Sequence, residues 1–127
     1  MSFKIPLHTT FLKGNEKKYL MECIDDNFVS SSGRFVDKFE KKFSNFVKAK
    51  YAVACSSGTA ALHLALEVAG VKKDDLVIVS SLTFIATVNV IKYVGAKPVF
   101  IDSNERTAQI EPSNIEKFLE NECIFDG

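Results

Sequence analysis

Three short runs of apolar and β-branched residues, "YAVAC" (51–55), "LVIVS" (76–80) and "PVFID" (98–102), alternate with stretches of helical character. Short apolar runs bounded by turn residues read as strands buried on both faces, and helices between them are the crossovers that a parallel ladder requires. This alternation limits the fold more than any other feature. Residues 51–127 are expected to form a βαβαβα unit of α/β class, with a mostly parallel sheet and helices on both faces. The helix in "GTAALHLALEVAG" is expected to stop at Gly70 and the one in "TFIATVNVIKYVGA" at Gly95, since glycine ends helices at little steric cost. Ser113 followed by Glu116 reads as a capping box opening a last helix.

Residues 1–50 read as a helical lead-in. After an extended, Pro-containing start, "GNEKKYLMECIDDNF" spaces Leu20, Cys23, Ile24 and Phe28 at helical steps, which predicts a helix over 16–27 capped by Asn15. "VSSSGR" breaks it. "FVDKFEKKFSNFV" then lines up Phe35, Phe39, Phe43 and Phe46 on one stripe opposite Asp37, Lys38, Lys41 and Lys42. That stripe is expected to be buried, not a base-stacking platform, because the lysines should face away from it. No internal repeat, low-complexity segment or linker divides the chain.

With 127 residues and 46% apolar content, the chain is about one domain's worth and can bury a core. Lys plus Arg and Asp plus Glu both number 16, so no net field draws it to nucleic acid or an anionic bilayer, and no segment approaches the roughly 18 apolar residues of a membrane span. Small molecules or another protein are the expected partners. Cys23, Cys55 and Cys123 are odd in number and contain no C-x-x-C pair, which favours reduced thiols in the cytoplasm over a disulfide frame or a metal site.

The corner "CSSGTAAL" carries the chemistry. A helix start offers unpaired N–H groups and a partial positive charge, and small residues let an anion approach the backbone, so "SSGT" (56–59) reads as a good phosphate seat. The simpler reading is that a hydroxyl caps the helix. Neither G-x-x-x-x-G-K-[ST], G-x-G-x-x-G nor G-x-S-x-G fits here. Cys55 as a nucleophile would need His8 or His63 as its base, and His63 shares a helix face with Glu67 in the manner of a solvated surface.

"IPLH", "GNEKKYL", "NFVSSSGRFVDKFEKKFSNF", "AKYAVACSSGTAAL" and "VIVSSLTFIATVNVIKYVGAKPVFIDSN" occur in the order and spacing of the nucleotide-sugar aminotransferases of the DegT family, which the chain resembles nearly end to end. These are pyridoxal-phosphate (PLP) enzymes of fold type I. The branch it looks most like aminates 4-keto-6-deoxy sugars on UDP or GDP for surface-glycan or nonulosonate building. The resemblance implies that Ser57, Gly58 and Thr59 hold the cofactor phosphate and that Phe84 stacks on the pyridine ring, where residues alone would suggest an ordinary core Phe. It implies that Asn27, Phe28, Val29 and Ser30 meet the sugar nucleotide, where residues alone suggest a turn. Asp102 matches the family pattern without a catalytic role. The implied amino donor is glutamate and the implied assembly a homodimer.

The family's Schiff-base lysine and its pyridine-pairing aspartate fall in later sequence, so the resemblance implies that residues 1–127 are the N-terminal segment of the large domain, without catalytic residues of their own. Lys92 and Lys97 are read as helix-end and strand-start residues. Two further readings remain: a non-catalytic binding module, and another α/β phosphate binder, against which the missing glycine fingerprint weighs. The family's strand order implies that 76–80 and 98–102 pair in parallel while 51–55 does not pair with 76–80, leaving apolar strand faces exposed.

Overall fold

The computed structural model describes residues 9–124; "IPLH" with His8, and residues 125–127, lie outside the described residues. The chain divides into two units, Met1–Ala54 and Cys55–Gly127.

In the first unit, α1 (Glu16–Asp25) is followed by α2 (Arg34–Val47). Asn15 occupies the N-cap position, and its backbone carbonyl accepts from Tyr19 N–H at 2.9 Å, but its side chain makes no capping bond. Glu16 takes up the Gly14 N–H at 2.9 Å instead. The helix stops at Asp25, short of the expected residue 27, because Asn27 turns into the left-handed region at φ 52°. Asn27 N–H then donates to Ile24 and Phe28 N–H to Cys23, both at 2.9 Å, closing a Schellman motif. Arg34, the first residue of α2, ties back to α1 through Glu22 at 3.1 Å and Asp26 at 2.8 Å.

The Phe stripe of α2 departs from expectation. Phe39, Phe43 and Phe46 are 54%, 47% and 85% exposed among the described residues. Only its start is covered, where the Tyr19 and Phe35 rings lie 4.9 Å apart. A helical period makes one face apolar but does not supply the surface that covers it, and among the described residues α1 meets only the start of the stripe. Nor does Lys38 face away. Its Nζ lies 5.3 Å from the Tyr19 ring centre, a cation–π contact.

The expected strand at 51–55 does not form; those residues belong to no ladder. The Ala54 N–H, which a strand neighbour would take, donates to Glu40 Oε1 on α2 at 2.8 Å. A βαβαβα unit is therefore corrected to αβαβα.

In the second unit, α3 (Gly58–Val68) leads to β1 (Leu76–Ser80), α4 (Ile85–Tyr93), β2 (Lys97–Ile101) and α5 (Pro112–Glu122). β1 and β2 pair in parallel, with Leu76 opposite Lys97 and Ser80 opposite Ile101, as the strand order of the resemblance implied. α4 is the crossover and packs on both strands, while α3 packs on α4. Val79, Ile91 and Ala96 form the buried core, with Leu66, Val71 and Val88 packed around them. Each fully buried aliphatic side chain contributes about 1.5–3 kcal/mol relative to exposure. Leu76 and Phe100 on the strands remain 61% and 55% exposed.

Gly70 and Gly95 end α3 and α4 as expected, at φ 81° and 80°. Each supplies one bond of a Schellman pair: Gly70 N–H to Glu67 and Val71 N–H to Leu66, then Gly95 N–H to Lys92 and Ala96 N–H to Ile91. The capping box at Ser113 does not form. Pro112, with a fixed φ and no N–H to satisfy, opens α5 as its first residue, which moves Ser113 into the helix and leaves Glu111 at the cap without a side-chain capping bond.

Candidate functional site

Ser57 turns the chain from extended backbone, φ −158° and ψ 161°, into α3, and its Oγ accepts the Ala60 N–H at 3.2 Å. Its carbonyl accepts from Ala61 N–H at 3.0 Å. The capping reading of this corner is therefore realised. Capping leaves the anion seat open: the N–H groups of Gly58 and Thr59 have no bond among the described residues, and the Ser57 hydroxyl, accepting from Ala60, still has its own proton to donate. A Cβ built on Gly58 would meet nothing within 4 Å, so the backbone there is accessible. Ser57 and Gly58 are exposed and Thr59 is half-buried. The helix dipole adds partial positive charge at the same point.

Phe84 stands at the N-cap position of α4, with φ −70° and ψ 136°, and its carbonyl accepts the Thr87 N–H at 2.9 Å. Phe84 is 78% exposed, so it belongs to no core among the described residues. The turn before it is heavily bonded. Ser81 N–H donates to Ile101 at 2.9 Å, the Ser80 and Ser103 hydroxyls lie 2.7 Å apart, and Ser81 Oγ donates to Asp102 Oδ1 at 3.3 Å. Sequence reasoning missed these partners, which are 21 and 23 residues apart and carry no local signature. The polar cluster sits at the carboxyl ends of parallel strands, where α/β sheets bind their ligands.

On the first unit, Asn27 is the left-handed residue that ends α1, and Phe28 and Val29 are 53% and 80% exposed. Phe28 and Ser30 line a cavity of about 380 Å³, together with Cys23, Asp26 and Arg34. The turn reading of "NFVS" therefore holds, and the turn borders a cavity. His63 and Glu67 face each other at 3.7 Å on an exposed side of α3, and Tyr93 packs edge-on to His63. Lys97 pairs with Asp74 at 2.8 Å and Lys92 sits in the last turn of α4, the places their spacing suggested. No helix among the described residues is long and apolar enough to cross a membrane.

The family model described as "DegT/DnrJ/EryC1/StrS aminotransferase family" matches residues 11–123. A GDP-perosamine synthase of Escherichia coli O157:H7 is 47% identical over 117 residues, 92% of this chain and 32% of that protein. Among solved structures, an aminotransferase from Psychrobacter cryohalolentis aligns with a TM-score of 0.77 at 34% identity, over 85% of this chain and 27% of that one. A Streptococcus pneumoniae protein in its PLP form aligns with a TM-score of 0.81 at 28% identity, over 91% of this chain and 29% of that one. This chain thus spans about a third of the length of the curated relative it matches. The likeness extends to the two-strand parallel pair and its crossover, the matched part of a fold type I transferase.

Proposed function

This chain belongs to the DegT/DnrJ/EryC1/StrS aminotransferase family, and on that premise we propose that the whole protein is a PLP-dependent aminotransferase acting on a nucleotide sugar. The reaction is transfer of an amino group, with glutamate as donor, to the keto carbon of a 4-keto-6-deoxy sugar for surface-glycan or nonulosonate synthesis. A relative named for GDP-perosamine supports GDP as the nucleotide.

The observation that carries the proposal is the start of α3. Two N–H groups without partners among the described residues, a Thr59 hydroxyl and a spare Ser57 proton lie within three consecutive residues of this helix start, and the space beside Gly58 is open. The residues present fit the cofactor's phosphate. PLP, when bound, supplies an electron sink for the carbon that bears the migrating nitrogen. Gly58 and Thr59 donate to the phosphate from the backbone, Thr59 adds its hydroxyl, and Ser57 holds the helix start in shape while offering a further donor. Phe84 presents an exposed ring face, suited to stack on a flat heteroaromatic ring and to keep water off that side.

Asn27 to Ser30 are assigned to the sugar nucleotide. Phe28 offers an apolar face, Ser30 a hydroxyl beside the cavity it lines, and Asn27 and Val29 the backbone turn that presents them. No lysine of this chain is assigned to the Schiff base: Lys97 is engaged by Asp74 and Lys92 ends a helix. The protein is further assigned to the cytoplasm as a homodimer, which sedimentation of the whole protein tests: a dimer mass is expected, and an active monomer would contradict it.

The test of function is to incubate the whole protein with PLP, glutamate and a GDP-linked 4-keto-6-deoxy sugar, and to follow the sugar by mass spectrometry. Exchange of the keto oxygen for an amine, dependent on both PLP and glutamate, is expected. An unchanged sugar, with UDP-linked analogues also inert, would overturn the assignment.

A further inference from the structure

Phe84 projects from its turn with a ring that is 78% exposed, so packing of the ring within the described residues does not hold it. Its backbone is held differently. Each residue from Ser80 to Phe84 makes at least one hydrogen bond outside regular helix and strand ladders. Ser80 Oγ meets Ser103 Oγ at 2.7 Å, Ser81 N–H donates to Ile101 at 2.9 Å, and Ser81 Oγ donates to Asp102 Oδ1 at 3.3 Å. The Leu82 carbonyl accepts from Ser80 Oγ at 3.2 Å, Thr83 Oγ1 donates to Thr87 Oγ1 at 3.3 Å, and the Phe84 carbonyl accepts from Thr87 N–H at 2.9 Å.

The Ser80 hydroxyl stands between two partners, Ser103 Oγ at 2.7 Å and the Leu82 carbonyl at 3.2 Å. A hydroxyl has one hydrogen and two acceptor positions, so Ser80 can engage both sides at once. The end of β2 and the turn after β1 are thereby joined through one side chain. Ser103 is itself fixed by a bridge to Ile110, and Asp102 through its carbonyl, which accepts the Glu111 N–H at 3.3 Å. The turn carrying Phe84 is thus fastened to a segment that is independently closed.

We propose that Ser103 and Asp102 are positioning residues for the cofactor: through Ser80 and Ser81 they hold the turn between β1 and α4 so that Phe84 is presented at a fixed place from which its ring stacks on the cofactor ring. This rests on the reading of Phe84 as the stacking residue. It gives Asp102 a task the family resemblance did not, and it explains why two consecutive serines end β1 where the core no longer needs apolar side chains. Holding the backbone that carries the ring in place before binding removes part of the ordering cost that binding would otherwise carry.

The test uses the whole protein with Ser103→Ala, Ser103→Thr, Ser81→Ala and, as a control in the same segment, Asn104→Ala, which removes the 2.7 Å bond to Glu111 and the bonds accepted from Arg106 and Thr107 N–H but touches none of residues 80–84. Two readouts are taken: hydrogen exchange at the Ser81 amide without cofactor, and the PLP dissociation constant with the visible circular dichroism of the bound cofactor. Ser103→Ala and Ser81→Ala should each speed Ser81 exchange and weaken PLP about threefold to tenfold, the size of one lost neutral hydrogen bond. Their dichroic band should fall, and Ser103→Thr should restore both readouts. Asn104→Ala should leave the band in place.

Unchanged exchange in Ser103→Ala and Ser81→Ala, or an equal loss of the band in Asn104→Ala, would overturn the proposal. Faster exchange with unaltered cofactor affinity and dichroism would overturn it too, since the clamp would then be structural only. A native protein that binds no PLP would instead overturn the functional reading beneath it, and the exchange measurement separates the two failures because it needs no cofactor. If Ser103→Ala does not fold, exposed Ser81 provides the same comparison from the other side of the clamp.

Discussion

The Phe28 ring lies against Gly33 so closely that a Cβ on Gly33 would stand 2.6 Å from the ring's Cε1. Gly33 also has φ 137°, a backbone conformation that side chains other than hydrogen rarely tolerate. The backbone conformation therefore calls for glycine where the turn between α1 and α2 closes, and a side chain there would also displace the exposed Phe28 ring. Gly33→Ala should lower the unfolding free energy of the whole protein by about 1–3 kcal/mol. A denaturant midpoint equal to that of the native protein would contradict the contact.

Ser57 and Thr59 should separate stability from binding. Ser57→Ala removes the acceptor for the Ala60 N–H and should cost about 0.5–2 kcal/mol of folding stability. Thr59 makes no side-chain bond among the described residues, so Thr59→Val should leave the thermal midpoint of the cofactor-free protein nearly unchanged. Parallel melting curves of the two variants check this, and equal losses would contradict the division of labour.

The packing of the second unit turns on α4. Ile91 is 2% exposed and contacts the core with Val79 and Ala96, so Ile91→Ala leaves a cavity and should cost about 2–5 kcal/mol. The more exposed Ile85, at 63%, should tolerate alanine with a much smaller loss. Chemical denaturation of both variants decides it, and equal destabilisation would contradict the assigned core.

No lysine of residues 1–127 should form a Schiff base of its own. Borohydride reduction of this chain with PLP should leave only sub-stoichiometric, scattered adducts. A single lysine modified one to one, read by peptide mass mapping, would contradict the assignment of Lys92 and Lys97 to structural places.

Much of this fold is written in local chemistry. The helical stripe of α2, the stops at Gly70 and Gly95, the Ser57 corner and the parallel pairing of "LVIVS" with "PVFI" all follow from periods, caps and turn residues, with the family resemblance adding the strand order. What was not legible depends on partners distant in sequence. "YAVAC" has the composition of a strand, yet a strand exists only with a neighbour, and Glu40 takes the Ala54 N–H instead. The Phe stripe has the period of a buried face, but period does not report what covers it. At Ser113 the capping-box pattern was outweighed by Pro112, whose ring geometry decides the first helical position. The bonds that fasten the Phe84 turn join serines that look like ordinary turn residues until β1 and β2 are set side by side.

The most direct measurement of the central claim, that the start of α3 seats the cofactor phosphate, is the PLP dissociation constant of the whole protein with and without the Thr59 hydroxyl. Losing one hydrogen bond to a charged group costs about 1.5–3 kcal/mol, so Thr59→Val should weaken PLP about tenfold to a hundredfold, with Thr59→Ser close to native. Equal affinity in native and Thr59→Val protein would contradict the phosphate seat and leave the corner as a helix cap alone.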